Sequence, residues 1–137
     1  MKRTDGAFID DILIAADSIR EYTRGVDKDD FLSKRDAMMQ DAVIRQIGIV
    51  GEAASHLSAS FRAKHSTIPW SLIIGMRNIV VHQYRDVKLD VVWEAATEDV
   101  PALVKKLNAA ILGGDVSEKV VRESVLARGR TRSRTRR

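Results

Sequence analysis

The chain has no cysteine. That excludes disulfides, thiolate metal sites and a cysteine nucleophile. It has two prolines in 137 residues, and strict apolar–polar alternation is scarce, so nothing argues for a sheet. No apolar run approaches the roughly 20 residues that a membrane span requires. The opening, Met1-Lys-Arg-Thr-Asp-Gly6, leads straight into an amphipathic pattern carrying Asp10, Asp11 and Asp17. That is unlike the apolar centre of a signal peptide, and the expected location is the cytoplasm. No internal repeat is visible.

What is present is ordinary globular material, 45% apolar and 31% charged, in a length that suits one domain. The net charge of +4 is unevenly placed. Arg128, Arg130, Arg132, Arg134, Arg136 and Arg137 fall in the last ten residues, with no acid among them; without those six the rest of the chain carries −2. The basic character therefore sits in a tail that resembles a disordered nucleic-acid-binding arm, although a solvated terminus with no partner is an equally plain reading. The expected organisation is a helical domain over residues 1–112 and a C-terminal extension over 113–137, with a short helix near 116–127 and a disordered arginine-rich end.

Apolar residues recur at steps of three and four throughout. A first helix is expected over 5–22, with Phe8, Ile12, Ala15, Ala16 and Ile19 as its stripe and Gly25 just past its end. A polar link over 26–30 follows, its aspartates forming a solvated turn. A long second helix is expected over 33–57, with Met39, Val43, Ile47, Val50, Ala54 and Leu57 facing inward. Gly48 and Gly51 lie one turn apart inside it, where each costs about 1 kcal/mol against alanine. They point to close approach by another helix, and a second subunit is one candidate. A third helix opens at Pro69-Trp70 and runs to 81–84. Residues 85–89 read as a loop, and Asp90 as the N-cap of a fourth helix. Pro101 falls inside that helix, so a kink or break is expected near 97–100, and Gly113-Gly114 ends it. The fold class expected is all-α, an antiparallel bundle of four main helices, with the second and fourth as its spine.

The chemistry concentrates in Gly75-Met-Arg-Asn-Ile-Val-Val-His-Gln-Tyr84. Arginine, amide, imidazole and phenol are poor core material but suit a phosphodiester. Arginine stays charged and offers a planar fork to phosphate oxygens. Histidine exchanges protons near neutral pH. Arg77 and His82 are five residues apart, roughly 140° around an ideal helix. One regular helix therefore does not aim both at one point. Either the helix loosens before His82, or a second copy of the chain completes the site.

Several segments in order, namely Asp41-Ala-Val-Ile-Arg-Gln-Ile-Gly-Ile-Val-Gly-Glu-Ala-Ala54, Ile68-Pro-Trp70, Gly75-Met-Arg-Asn78 with His82-Gln-Tyr84, and Asp90-Val-Val-Trp93, resemble the HepT-like branch of the HEPN superfamily. The resemblance runs over about residues 8–107. It implies an all-α homodimer and a ribonuclease toxin of a type VII toxin–antitoxin pair. The partner it implies is a small MNT-fold nucleotidyltransferase antitoxin, which uses ATP. By the same resemblance Arg77 and His82 are catalytic, Asn78 is the adjacent polar position, and Tyr84 is the tyrosine that the antitoxin modifies with AMP. Glu52 matches a glutamate common in the family, without an assigned role. Gln83 departs from the small residue common at its position, and the arginine tail lies outside the resemblance.

Plainer readings stand beside this one. Arg77 could serve as an ion-pair partner of Glu52 or Asp86, His82 as a helix cap, and Tyr84 as an interface residue. His56 and His65 read as solvated surface groups, Trp70 and Trp93 as core anchors. Asp86 and Asp90 are too few for a magnesium or calcium site, so no metal and no resident cofactor are expected. A binding module that docks a nucleotidyltransferase or a nucleotide without cleaving anything is the competing function.

Overall fold

The computed structural model describes residues 3–33, 36–81 and 88–113. Among these every regular element is helical: α1 (Asp5–Thr23), α2 (Lys28–Leu32), α3 (Ala37–Ser55), α4 (Ala59–Lys64), α5 (Trp70–Gly75), α6 (Arg77–Val81), α7 (Leu89–Glu94), a π-helical turn (Ala95–Asp99) and α8 (Val100–Leu112). The architecture is the all-α bundle expected. Its centre is α3, which packs on α1, α5, α6, α7 and the π turn. The principal partner of α3 is α1, rather than the fourth helix anticipated from the apolar pattern; α8 packs on α1.

Helix α1 begins where the Thr4 hydroxyl accepts from the Ala7 N–H, 3.2 Å away, a side-chain N-cap. It buries Ile9, Ile12, Ala15, Ala16 and Ile19, and Phe8 packs at the rim of the core. Just past its end Gly25 takes φ +71°, a left-handed conformation that a side chain would strain.

The expected second helix over 33–57 is met by α3, shorter at both ends, and the expected polar link ahead of it holds a separately capped helix, α2. The Asp27 carboxylate accepts from the Asp30 N–H at 2.8 Å and starts α2, so Asp27 caps a helix where a solvated turn was expected. Phe31 of α2 is fully buried and packs on Trp93, with ring centroids 5.1 Å apart. Gln40 of α3, buried, donates through Nε2 to the carbonyls of Phe31 (2.7 Å) and Ser33 (2.8 Å). It thus satisfies carbonyls at the end of α2 that a helix terminus leaves open. Asp36 then caps α3 by accepting from the Met39 N–H at 3.1 Å. Helix α4 was not anticipated. Ser58 caps it, and the Asp5 carboxylate holds Ser58 by both its N–H (2.8 Å) and its hydroxyl (2.7 Å).

The fourth helix starts after Lys88. Asp90 lies in its first turn, where its charge favours the positive helix end, and is not the N-cap. The break expected ahead of Pro101 is met as the π turn. The Val100 N–H bonds the Ala95 carbonyl, five residues back. Proline offers no N–H to the carbonyl four residues earlier and crowds it, and a widened turn absorbs that conflict. The Thr97 hydroxyl donates to the Trp93 carbonyl at 2.7 Å. Helix α8 ends at Gly113. Gly114, the short helix near 116–127 and the arginine tail lie outside the described residues.

Candidate active site

The third helix carries Arg77. It is divided at Met76 into α5 and α6. The Met76 N–H bonds the Ile73 carbonyl, and the Ile79 N–H bonds that of Met76, each three residues back at 3.1 Å, so the path tightens there. Arg77 thus opens a new helical segment that runs to Val81, and the loosening weighed ahead of His82 falls outside the described residues. Pro69 precedes α5, and Trp70 anchors it. The Trp70 indole N–H donates to the carbonyls of Arg62 (3.0 Å) and His65 (3.1 Å), and its ring meets Phe61 edge-on. Trp70 and Trp93 are thus the core anchors expected.

Gly51 sets the position of Arg77. It is buried in α3. A Cβ built on it would lie 2.5 Å from the Arg77 backbone nitrogen, 3.0 Å from the Ile73 carbonyl oxygen and 3.1 Å from that of Ile74. Any side chain at 51 would push the α5–α6 junction outward. The close helix approach read from the glycines is therefore real at Gly51, but its partner is α5–α6 of the same chain. Gly51 gives no argument for a second subunit.

The Arg77 side chain is half exposed. Its Nη1 lies 3.8 Å from Glu52 Oε2, the pairing weighed as a plain alternative. Glu52 Oε1 in turn lies 3.0 Å from His56 Nε2. The His56 ring stacks on Phe8 of α1, with centroids 5.1 Å apart and planes 17° apart. The Arg3 guanidinium sits 4.6 Å from the Phe8 ring centroid. A hydrogen bond to Asp11, above all, holds the Arg3 charge more firmly than usual. Asn78 is exposed beside Arg77 on α6. His82 and Tyr84, and Asp86 with them, lie outside the described residues. Reading His56 as a merely solvated group missed its contacts. The signal that could have found them is Glu52-Ala-Ala-Ser-His56, an i,i+4 pair on one helix face.

Among the described residues no three His, Asp or Glu side chains gather as metal ligands, and no helix is long and apolar enough to cross a membrane.

The all-α bundle thus presents an arginine and an amide, both exposed, where the third helix is interrupted. The chain belongs to the ribonuclease HepT-like family, whose model matches residues 12–110. It is 36% identical over 106 residues to a protein of Methanocaldococcus jannaschii named "Putative RNase", covering 77% of this chain and 95% of that one. It is 38% identical over 106 residues to the "Probable ribonuclease HepT" of Thermococcus cleftensis, covering 77% and 94%. A "Putative RNase" of Caldanaerobacter subterraneus is 32% identical over 105 residues, covering 77% and 92%. No solved structure matches.

Proposed function

We propose that the protein is a metal-independent endoribonuclease, the toxin of a toxin–antitoxin pair, acting as a homodimer. The observation that carries the reading is Arg77: half exposed, at the start of α6, and set in place by backbone contact with a glycine. Membership of the HepT-like family and relatives named as ribonucleases support RNA as the substrate.

In this reading an imidazole of His82 takes the proton from a ribose 2′-hydroxyl, whose oxygen attacks the adjacent phosphorus. Arg77 offsets the charge that builds on the non-bridging oxygens. The 5′-oxygen leaves with a proton supplied by a second imidazole, that of His82 in the other copy. Asn78 orients the imidazole or bonds the substrate. The arginine tail adds RNA affinity of no sequence preference. An MNT-type nucleotidyltransferase antitoxin silences the pair by transferring AMP from ATP to Tyr84. The new phosphodiester brings bulk and negative charge to the place an RNA phosphate would occupy.

The test is cleavage of single-stranded RNA by the purified chain in EDTA. Arg77→Ala and His82→Ala are expected to abolish it while circular dichroism shows an intact fold. A well-folded His82→Ala protein that cleaves as fast as the unmutated chain removes His82 from its role. No cleavage by the unmutated chain, together with a stable complex with the nucleotidyltransferase, replaces the enzyme with a binding module. Intact mass after co-expression with the nucleotidyltransferase is expected to rise by about 329 Da per AMP, mapping to Tyr84.

A further inference from the structure

Gly51, which lets α6 come close, and Glu52, which meets the arginine of α6, are neighbours in sequence. The two oxygens of the Glu52 carboxylate are divided between two partners on different elements. Oε2 faces Arg77 Nη1 of α6 at 3.8 Å, and Oε1 faces His56 Nε2, one turn further along α3, at 3.0 Å. The His56 ring rests on Phe8 of α1. Phe8 carries Arg3 over its ring, and Arg3 is tied to Asp11 at 2.8 Å. A continuous line of contacts therefore runs from the start of α1 across α3 to the Arg77 guanidinium.

These groups are poor candidates for a stabilising role. The side chains of Arg77, Glu52 and His56 are 48%, 58% and 53% exposed, and solvent-screened pairs of that kind add little to folding. Orientation is another matter. A free arginine side chain samples many rotamers, and a group that must meet a phosphate gains from being held near its working position beforehand. The 3.8 Å separation is also loose enough for the guanidinium to turn toward a better anion.

We infer that Glu52 and His56 are positioning residues for Arg77. Glu52 holds the guanidinium in the free protein, and His56 holds the Glu52 carboxylate on α3 so that it stays behind when Arg77 engages a phosphate. The inference rests on the reading of Arg77 as the phosphate-binding group. It assigns a role to the first histidine of the chain and to a glutamate, neither of which the proposed chemistry otherwise uses.

The experiment combines two readouts on the full-length chain. In the first, the Arg77 Nε–Hε signal is followed by NMR in the unmutated chain and in Glu52→Ala, His56→Ala and His56→Gln. The signal is expected to shift and sharpen toward that of a freely rotating arginine in both alanine variants. It is expected to return in His56→Gln, whose amide can still donate to Glu52. In the second, steady-state RNA cleavage is expected to fall about three- to fivefold in kcat for Glu52→Ala and about twofold for His56→Ala, the scale of an exposed ion pair. KM should stay within about twofold, with recovery in His56→Gln. An Arg77 signal unmoved by either alanine variant overturns the inference. So does a signal that moves while kcat does not, or a kcat loss that only tracks a lower Tm. If the unmutated chain cleaves no RNA yet the Arg77 signal responds as expected, the ribonuclease reading fails while the orienting contacts stand.

Discussion

Gly51 and Arg77 meet backbone to backbone: the place a Cβ would occupy at 51 lies 2.5 Å from the Arg77 amide nitrogen. The position of the arginine is thus set from α3 before its side chain makes any contact. In Gly51→Ala the α5–α6 junction must move. An added methyl in a packed interior costs about 1–3 kcal/mol, a sizeable part of the stability of a small domain. The gain of alanine over glycine in helix propensity, about 1 kcal/mol, offsets some of it. The expected outcome is a lower Tm and a loss of RNA cleavage larger than the Tm shift explains. Thermal melts beside single-turnover cleavage, well below the melting range, measure the two.

Gln40 predicts a local rather than a global effect. Its amide closes two carbonyls at the end of α2. Gln40→Ala leaves both without that donor, at a cost of about 1–3 kcal/mol. Hydrogen exchange should speed up at the amides of residues 28–33 before it does so in α1 or the middle of α3. Equal acceleration everywhere would contradict this.

Asp99 predicts a pH dependence. Removal from water, chiefly, raises its pKa above the ordinary aspartate value, with Glu94 and then Glu98 adding to the effect. A carboxyl whose pKa is raised by folding opposes the fold when ionised. Its cost is absent below the ordinary aspartate range, where folded and unfolded chains both hold the proton. The cost appears as pH rises through that range and is complete above the raised pKa. Asp99→Asn, which keeps shape and similar helix propensity, should therefore raise Tm at pH 7. The gain should vanish as pH falls below the ordinary carboxylate range. A gain that grows on acidification would reverse the sign and refute it.

The arginine tail predicts a salt effect. Deleting residues 128–137 removes six arginines. For single-stranded RNA each lost phosphate contact flattens the slope of log affinity against log salt by about 0.7, or about four units for all six. Fluorescence anisotropy at several salt concentrations measures it, with a His82→Ala chain to prevent cleavage. An unchanged slope would remove the tail from RNA binding.

The apolar stripe of α1 and its glycine stop were legible because a buried face and a left-handed residue leave direct marks on a sequence. Pro101 announced a break for the same reason. The one-turn helices α2 and α4 were not legible. Their existence turns on Phe31 and Phe61 finding buried seats and on caps from Asp27, Ser58 and Asp5, contacts that periodicity does not encode. Gly51 showed that something comes close but not what, since a glycine records a missing side chain and no partner. At the site, residue types and spacing singled out Arg77 and Asn78. The Arg77–Glu52 and Glu52–His56 pairs left marks in the sequence, but the stacking of His56 on Phe8, which carries the line of contacts to a third helix, is disclosed only by packing.

The π turn ahead of Pro101 has a further effect. A π turn amounts to one extra residue inside a helix, and one residue is about 100° of rotation. The inward faces of α7 and α8 therefore follow different helical phases along one rod. Val92 belongs to the first phase, and Leu103 and Leu107 to the second, all of them buried. Winding residues 95–99 as a regular α-helix without removing one would turn the leucines of α8 by about 100° from their buried positions. Excising a single residue there would instead regularise the rod and leave them in place, so the irregular turn is what fits the extra residue between two packed helices.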